Sequence, residues 1–357
     1  MSDALGEFGR AAFLPVSFLW GAVSKSRNLL YDRGIARVQR LSVPVVSIGN
    51  ITAGGTGKTP LTIHLARILL AAGERPLVLS RGYRSGGSGT RVVSDGTCVV
   101  LGPAEAGDEP VLIARSVKGL PVVVDPDRLR GGRMAVVRFG PSVILLDDGY
   151  QHRRLARDLD IVLLNALDPF GRYAMLPSGL LREPFRGLAR ADLFVLTHAP
   201  DEEPLETLHA VVRRFNARAP LLRARHRAEG LLPLPQAGAQ ASGPEPLGRI
   251  HGARVYAFCA IGNPEGFRET LLAAGAHIAG FETFRDHHPV TAADAARLVR
   301  AASRAEADLI VTTEKDAVRL PALDTGPPAY ALRIRMEITP EAELTERVLA
   351  VVRAGRS

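Results

Sequence analysis

Residues 43–73, VPVVSIGNITAGGTGKTPLTIHLARILLAAG, constrain the fold of this chain more than any other stretch. The opening VPVVSIG is a short apolar run rich in β-branched side chains, the pattern of a buried strand. LTIHLARILLAAG is helical in pattern, with Pro60 early and Gly73 at its end as punctuation. A strand, a glycine-rich loop and a helix in this order aim backbone N–H groups and the positive end of a helix dipole at one point. That is what cradling a phosphate requires. The loop departs from G-x-x-x-x-G-K-[ST] at its first position, where Thr52 replaces glycine. This alters the entry turn more than the cradle, which lies between Gly54 and Thr59. The expected nucleotide contacts are Thr52, Ala53, Gly54, Gly55, Thr56, Gly57, Lys58 and Thr59, with Lys58 reaching the β- and γ-phosphates and Thr59 holding Mg²⁺. A βα turn carrying Gly-Lys-Thr by chance is the competing reading, and the flanking strand and helix weigh against it. Ala53 stands where one class of dimeric P-loop ATPases carries a second lysine, which disfavours that class.

The rest of the chain continues the alternation. Apolar runs at 75–83, 121–125, 142–149, 160–166 and 191–197 read as strands, and 110–117 reads as a helix. The expected fold is α/β: a P-loop NTPase-like, doubly wound, mostly parallel sheet with a second, smaller α/β domain. Residues 231–249, LLPLPQAGAQASGPEPLGR, have linker composition. The expected division is an N-terminal segment at 1–40, a P-loop domain at 41–230, the linker, and a smaller domain at 250–357. VILLDDG at 143–149 has the form of a Walker B strand, and Asp147 and Asp148 are the candidates for the metal environment. Strand alternation sends them opposite ways, so one of the two faces the metal.

Charge narrows the partners. The net charge is +8 with 45 basic residues, which favours acidic partners, yet no like-charge block or basic aromatic stripe marks a nucleic-acid surface. No feature marks an obligate protein partner. Only four residues are lysine (25, 58, 118 and 315) and 41 are arginine, so lysine at position 58 is hard to dismiss as accident. Cys98 and Cys259 form no framework or CxxC motif. Residues 4–23 are too short and too interrupted to span a bilayer and lack the marks of a signal peptide. Leu5, Phe8, Ala11, Ala12 and Leu19 share a helical face, with Trp20, Lys25, Arg27, Arg33, Arg37 and Arg40 beyond. That fits either an interfacial helix or one docked on the protein's own core by an apolar face.

A phosphotransferase also needs an acceptor side. Asp108 and Glu109, in GDEP, follow a glycine-rich loop and equally suit a capped helix start. His152 follows the Walker B strand, and His287 and His288 lie in FRDHHP. Arg81, Arg84, Arg128 and Arg182 lie near loops and could pair with phosphate.

Taken together, SIGNITAGGTGKTP, LSRGYR, GDEP, ILLDDGYQHR, LPSGLLREP, FRDHHP and TTEKDAVRL, in order over residues 40–320, resemble the tetraacyldisaccharide 4'-kinase (lipid A 4'-kinase) family. In that family the first loop glycine is also commonly absent. The resemblance implies transfer from ATP, with Mg²⁺, to the 4'-hydroxyl of a membrane-embedded tetraacyldisaccharide 1-phosphate, giving lipid IVA in lipid A biosynthesis. It implies Asp108 as base, supported by a histidine of the DHH motif, His288 in preference to His287. Lys58 and Asp148 join the catalytic set, Asp147 and Asp148 match the acid pair near the metal beside Thr59, and Glu183 joins that environment. A four-chain lipid does not leave the bilayer, so the enzyme is expected at the cytoplasmic face of the inner membrane, peripheral or monotopic. Basic residues would meet anionic headgroups there. With base and histidine on different expected domains, a cleft closing on ATP is also expected. Two other readings compete: a P-loop ATPase or GTPase acting as a conformational switch or assembly factor, and a kinase for a small soluble sugar or cofactor.

Overall fold

The computed structural model describes residues 13–82, 86–199, 206–235, 243–286, 288–324 and 326–355. In chain order the strands are β1 (Val45–Gly49), β2 (Pro76–Ser80), β3 (Arg91–Asp95), β4 (Pro121–Val124), β5 (Val143–Asp147), β6 (Leu159–Asn165), β7 (Leu193–Thr197), β8 (Leu221–Pro233), β9 (Arg254–Cys259), β10 (His277–Thr283), β11 (Leu309–Thr313) and β12 (Ala329–Thr339). The longer helices are α1 (Leu14–Asp32), α2 (Lys58–Ala71), α3 (Asp108–Ser116), α4 (Arg128–Phe139), α5 (Glu206–Phe215), α6 (Pro264–Ala273), α7 (Ala292–Arg304) and α8 (Glu341–Ala354).

The chain divides into two compact units. The first comprises Met1–Ala106, Ile113–Arg225 and Ile338–Ser357, and the second Gly107–Leu112 and His226–Glu337. In the first, the strand order is β8-β7-β6-β1-β5-β2-β4-β3. Its pairs are parallel except the edge pair β3–β4. Every residue of β1, β2, β5 and β7 is buried, as expected of parallel strands covered on both faces. Ile48 of β1 stands level with Asp147 of β5, so the loop after β1 and the acid pair ending β5 leave the sheet together. The carboxyl edge of such a sheet is where α/β folds bind ligands. In the second unit β10, β9, β11 and β12 run parallel in that order.

The domain limits differ from those read in the composition. Residues 221–233 form one strand, β8, which crosses the division at Arg225/His226. Leu231 is buried and exchanges backbone hydrogen bonds with Glu245, so the ends of the supposed linker are built into the second unit. Residues 236–242 lie outside the described residues. The C-terminal helix returns to the first unit: α8 buries Leu344, Val348 and Val352, and Glu341 pairs with His64 of α2 at 3.1 Å. Residues 107–112, with GDEP, belong to the second unit.

Helix α1 is inside out. Its buried residues are Ser17, Ser24 and Asn28, whereas Phe18 is 81% exposed and Leu19 65% exposed, with Leu14, Val16, Trp20, Val23, Leu29 and Leu30 also exposed. An apolar face docked on the core is therefore not what holds this helix. Leu5, Phe8, Ala11 and Ala12 lie outside the described residues. Among the described residues no helix is long and apolar enough to cross a membrane.

Candidate active site

The loop joining β1 to α2 is built for close approach of backbone. Gly54 has φ 110° and Gly57 φ 84°, left-handed conformations that side chains disfavour. Gly57 is the N-cap, so α2 opens at Lys58 with its first N–H groups toward the loop. The loop is braced from within and below: Asn50 Nδ2 donates to Thr56 Oγ1 at 2.9 Å, and Thr197 Oγ1 to Thr56 O at 3.2 Å. Thr52 explains the missing glycine. It is extended, bridges Leu181, and is flanked by Ala53 N donating to Leu180 O at 2.7 Å and Arg182 N donating to Ile51 O at 2.8 Å. A paired, extended position needs no left-handed residue.

The two aspartates separate because β5 ends at Asp147 and Asp148 begins a left-handed turn. Asp147 is buried and accepts from Ser80 Oγ at 2.9 Å and Thr62 Oγ1 at 3.3 Å. Asp148, at φ 50°, turns to the loop: Lys58 Nζ is 3.6 Å from Oδ1, and Arg182 Nη1 donates to both carboxylate oxygens at 2.8 and 2.9 Å. Burial opposes its ionisation, but Lys58, Arg182 and Arg128 outweigh that and hold its pKa at about 2. Arg128 itself is buried. Burial and the neighbouring Arg81 pull its pKa down to about 10, against the attraction of Asp148 and Asp147. His152, read as a phosphate contact, has its pKa lowered to about 4 by burial and by Arg128, so its imidazole is neutral near pH 7. Its Nε2 is buried and has no hydrogen-bond partner among the described residues. Arg84 lies outside the described residues.

Glu183 is the residue the structure reassigns. Its carboxylate is fully buried and faces nitrogen donors: Asn28 Nδ2 at 3.0 Å, Gln151 Nε2 at 2.9 Å and Arg190 Nη2 at 2.8 Å. With three donors on its two oxygens, one of them a cation, the carboxylate is placed to brace its surroundings. Among the described residues no three His, Cys, Asp or Glu gather as a metal cage.

The acceptor-side motifs converge within the second unit. Asp108 opens α3 and pairs with Arg319 Nε at 2.8 Å. Lys315 Nζ reaches Asp286 at 3.4 Å and Glu109 at 3.8 Å, so GDEP, FRDHHP and TTEKDAVRL meet. His288 stacks on Phe284 with ring centroids 4.9 Å apart, and its Nε2 is 3.3 Å from Asp294 Oδ2. Asp294 is the reciprocal partner of Thr291 in the capping box of α7. Hydrogen bonds from Thr291, and then from His288, hold its carboxyl below the usual range. His287 lies outside the described residues. Asp108 and His288 thus belong to one unit, not to two as the expected boundaries had it. Their placement therefore gives no reason to expect a cleft that closes on ATP.

Four participants escaped the reading of the sequence. Arg319 carries no motif of its own among so many arginines. Asn50 and Gln151 lie inside quoted motifs, but amides carry no charge signal. Lys315 could have been found, because the scarcity of lysine that marks Lys58 applies equally to it.

Residues 10–353 match the family described as tetraacyldisaccharide-1-P 4'-kinase. The tetraacyldisaccharide 4'-kinase of Syntrophus aciditrophicus is 44% identical over 336 residues, 92% of this chain and 89% of that protein. That of Anaeromyxobacter dehalogenans strain 2CP-C is 42% identical over 353 residues, 97% of this chain and 91% of that protein. The crystal structure of an "apo" form of LpxK from Aquifex aeolicus in complex with ATP superposes with a TM-score of 0.76 at 31% identity, covering 96% of this chain and 99% of that one. With a braced phosphate loop, an acid pair level with it and a match over nearly its whole length, this chain belongs to the tetraacyldisaccharide-1-P 4'-kinase family.

Proposed function

We infer that this protein transfers the γ-phosphoryl group of ATP to the 4'-hydroxyl of a tetraacyldisaccharide 1-phosphate. The observation that carries the reading is the phosphate loop with Lys58 set against Asp148, in a chain of this family. The loop N–H groups and the start of α2 bind phosphate oxygens. Lys58 leaves Asp148 for the β- and γ-phosphates and stabilises the charge that develops in transfer. Asp108 receives the proton of the attacking hydroxyl, and His288 supports it. Mg²⁺ keeps several waters and takes one or two protein ligands beside phosphate, so the lack of a carboxylate cage is compatible with it. Thr59 and Asp148 are the residues that would hold it. When bound it would supply further neutralisation of phosphate charge, while Asp147 braces α2 and β2 through Thr62 and Ser80.

Incubation with γ-labelled ATP and the disaccharide lipid should move label into the chloroform-soluble fraction. Release of inorganic phosphate alone would sink the kinase reading and favour a conformational switch.

The exposed apolar face of α1 supports residence at a membrane surface, and we place the protein peripherally at the cytoplasmic face of the inner membrane. Lys25, Arg27, Arg33, Arg37 and Arg40 are exposed and suit anionic headgroups. The double substitution Phe18→Asp with Leu19→Asp should lower partition onto anionic vesicles at least ~10-fold, since each side chain contributes about 1.5–3 kcal/mol when taken from water. Cosedimentation measures this, and Trp20, the only tryptophan, reports the same event by the blue shift of its emission. Unchanged partition would place the contact elsewhere.

A further inference from the structure

The polar atoms that seat α1 lead, bond by bond, to the phosphate loop. Asn28 Nδ2 donates to Glu183 Oε2 at 3.0 Å, and Glu183 Oε1 accepts from Gln151 Nε2 at 2.9 Å. The same Nε2 donates to Asn50 O at 2.7 Å, and Asn50 donates to Thr56 Oγ1 at 2.9 Å inside the loop. A second connection runs beside it. Trp20 Nε1 donates to Arg182 O at 3.2 Å, and Arg182 pairs with both Asp148 and the backbone of Ile51. Arg153, from the segment that carries Gln151, grips the end of α1 through Asn28 O at 2.9 Å and Asp32 at 2.7 Å.

A fully buried carboxylate is costly to desolvate, even paired with Arg190 at 2.8 Å. Neutralising Arg190 accounts for the ion pair, yet it requires neither Asn28 nor Gln151. Those two link α1 on one side and the loop on the other. We propose that Glu183 is a positioning residue that couples the seating of α1 to the shape of the phosphate loop, so that ATP is held tightest when α1 is docked. This rests on the reading of the loop as the ATP site of a lipid kinase. It gives the apolar helix a second consequence: whatever shifts α1 at the lipid surface also shifts Asn50 and Thr56.

The test is equilibrium binding of a fluorescent ATP analogue to the full-length protein without lipid, with Tm measured alongside. Asn28→Ala removes only the first link. It should weaken ATP binding about 5- to 20-fold, the lower part of the usual range of a coupling between sites, with little change in Tm. Ser24→Ala, on the same buried seam but outside the series, should bind ATP as the native chain does. In a double-mutant cycle, Asn28→Ala with Glu183→Gln should bind no more weakly than the worse single variant, because both break one series. Should Glu183→Gln fail to fold, Gln151→Ala takes its place in the cycle. Native affinity in Asn28→Ala, or additive losses in the double variant, would overturn the coupling. The lipid-transfer assay on the native chain keeps the two readings apart. Loss of transfer there sinks the proposed reaction, whereas normal transfer with normal ATP binding in Asn28→Ala sinks the coupling alone.

Discussion

Lys58→Ala will lower kcat/KM for ATP by about 10²- to 10³-fold, the cost of removing one preorganised donor from the charge that develops in transfer. The fold should survive. Lys58 lies at the first turn of α2, and its ion-pair partner, Asp148, keeps both contacts to Arg182 when the ammonium is gone. Tm should therefore change little while turnover collapses. Lys58→Arg should rescue poorly, because a broad planar guanidinium does not replace a compact ammonium in a loop shaped by Gly54 and Gly57. Steady-state kinetics beside thermal denaturation separates the two effects. Activity above a tenth of native in Lys58→Ala would remove the charge clamp.

Asp108→Asn will lower kcat by about 10²- to 10⁴-fold, the range for a general base, and leave KM for ATP nearly unchanged. The substitution keeps shape and leaves an amide oxygen for Arg319, so it probes proton acceptance more than packing. His288→Ala should cost less than Asp108→Asn, because His288 acts here through support and its Nε2 faces Asp294. Its effect should fall on kcat. A native kcat in Asp108→Asn would end the base assignment, and a rise in KM for ATP with kcat unchanged would reassign Asp108 to nucleotide binding.

The legible parts of this chain were those where one local pattern had one physical cause. The strand ending in Gly49, the loop with Gly54 and Gly57, and the helix to Ala71 follow from apolar runs and glycine placement alone. Asp147 and Asp148 do part, but the left-handed turn at Asp148 beyond the end of β5 separates them, which strand alternation does not foretell. The strands β8 and β12 were harder, because arginine recurs at 223, 225 and 227 and again at 333 and 335 on half-exposed strands, diluting the apolar signal. The same strands displaced the domain boundary, since a Pro- and Gly-rich composition at 231–249 says nothing about its first residues being paired. Glu183 shows the limit most clearly. An acid beside a phosphate site suggests a metal ligand, and only the three-dimensional positions of Asn28, Gln151 and Arg190 show which atoms face it.

The inverted α1 has a practical corollary for redesign. The buried polar residues that seat it (Ser17, Ser24 and Asn28) are separate from Phe18, Leu19 and Val23, which face outward. On the proposed residence at a membrane surface, lipid contact and attachment to the body would be carried by largely different side chains of one helix, with Trp20 serving both. Outward positions can be exchanged for glutamine, glutamate or lysine to yield a freely dispersing enzyme whose interior is untouched. Such a variant should act on short-chain, water-dispersed acceptors while losing its grip on bilayers.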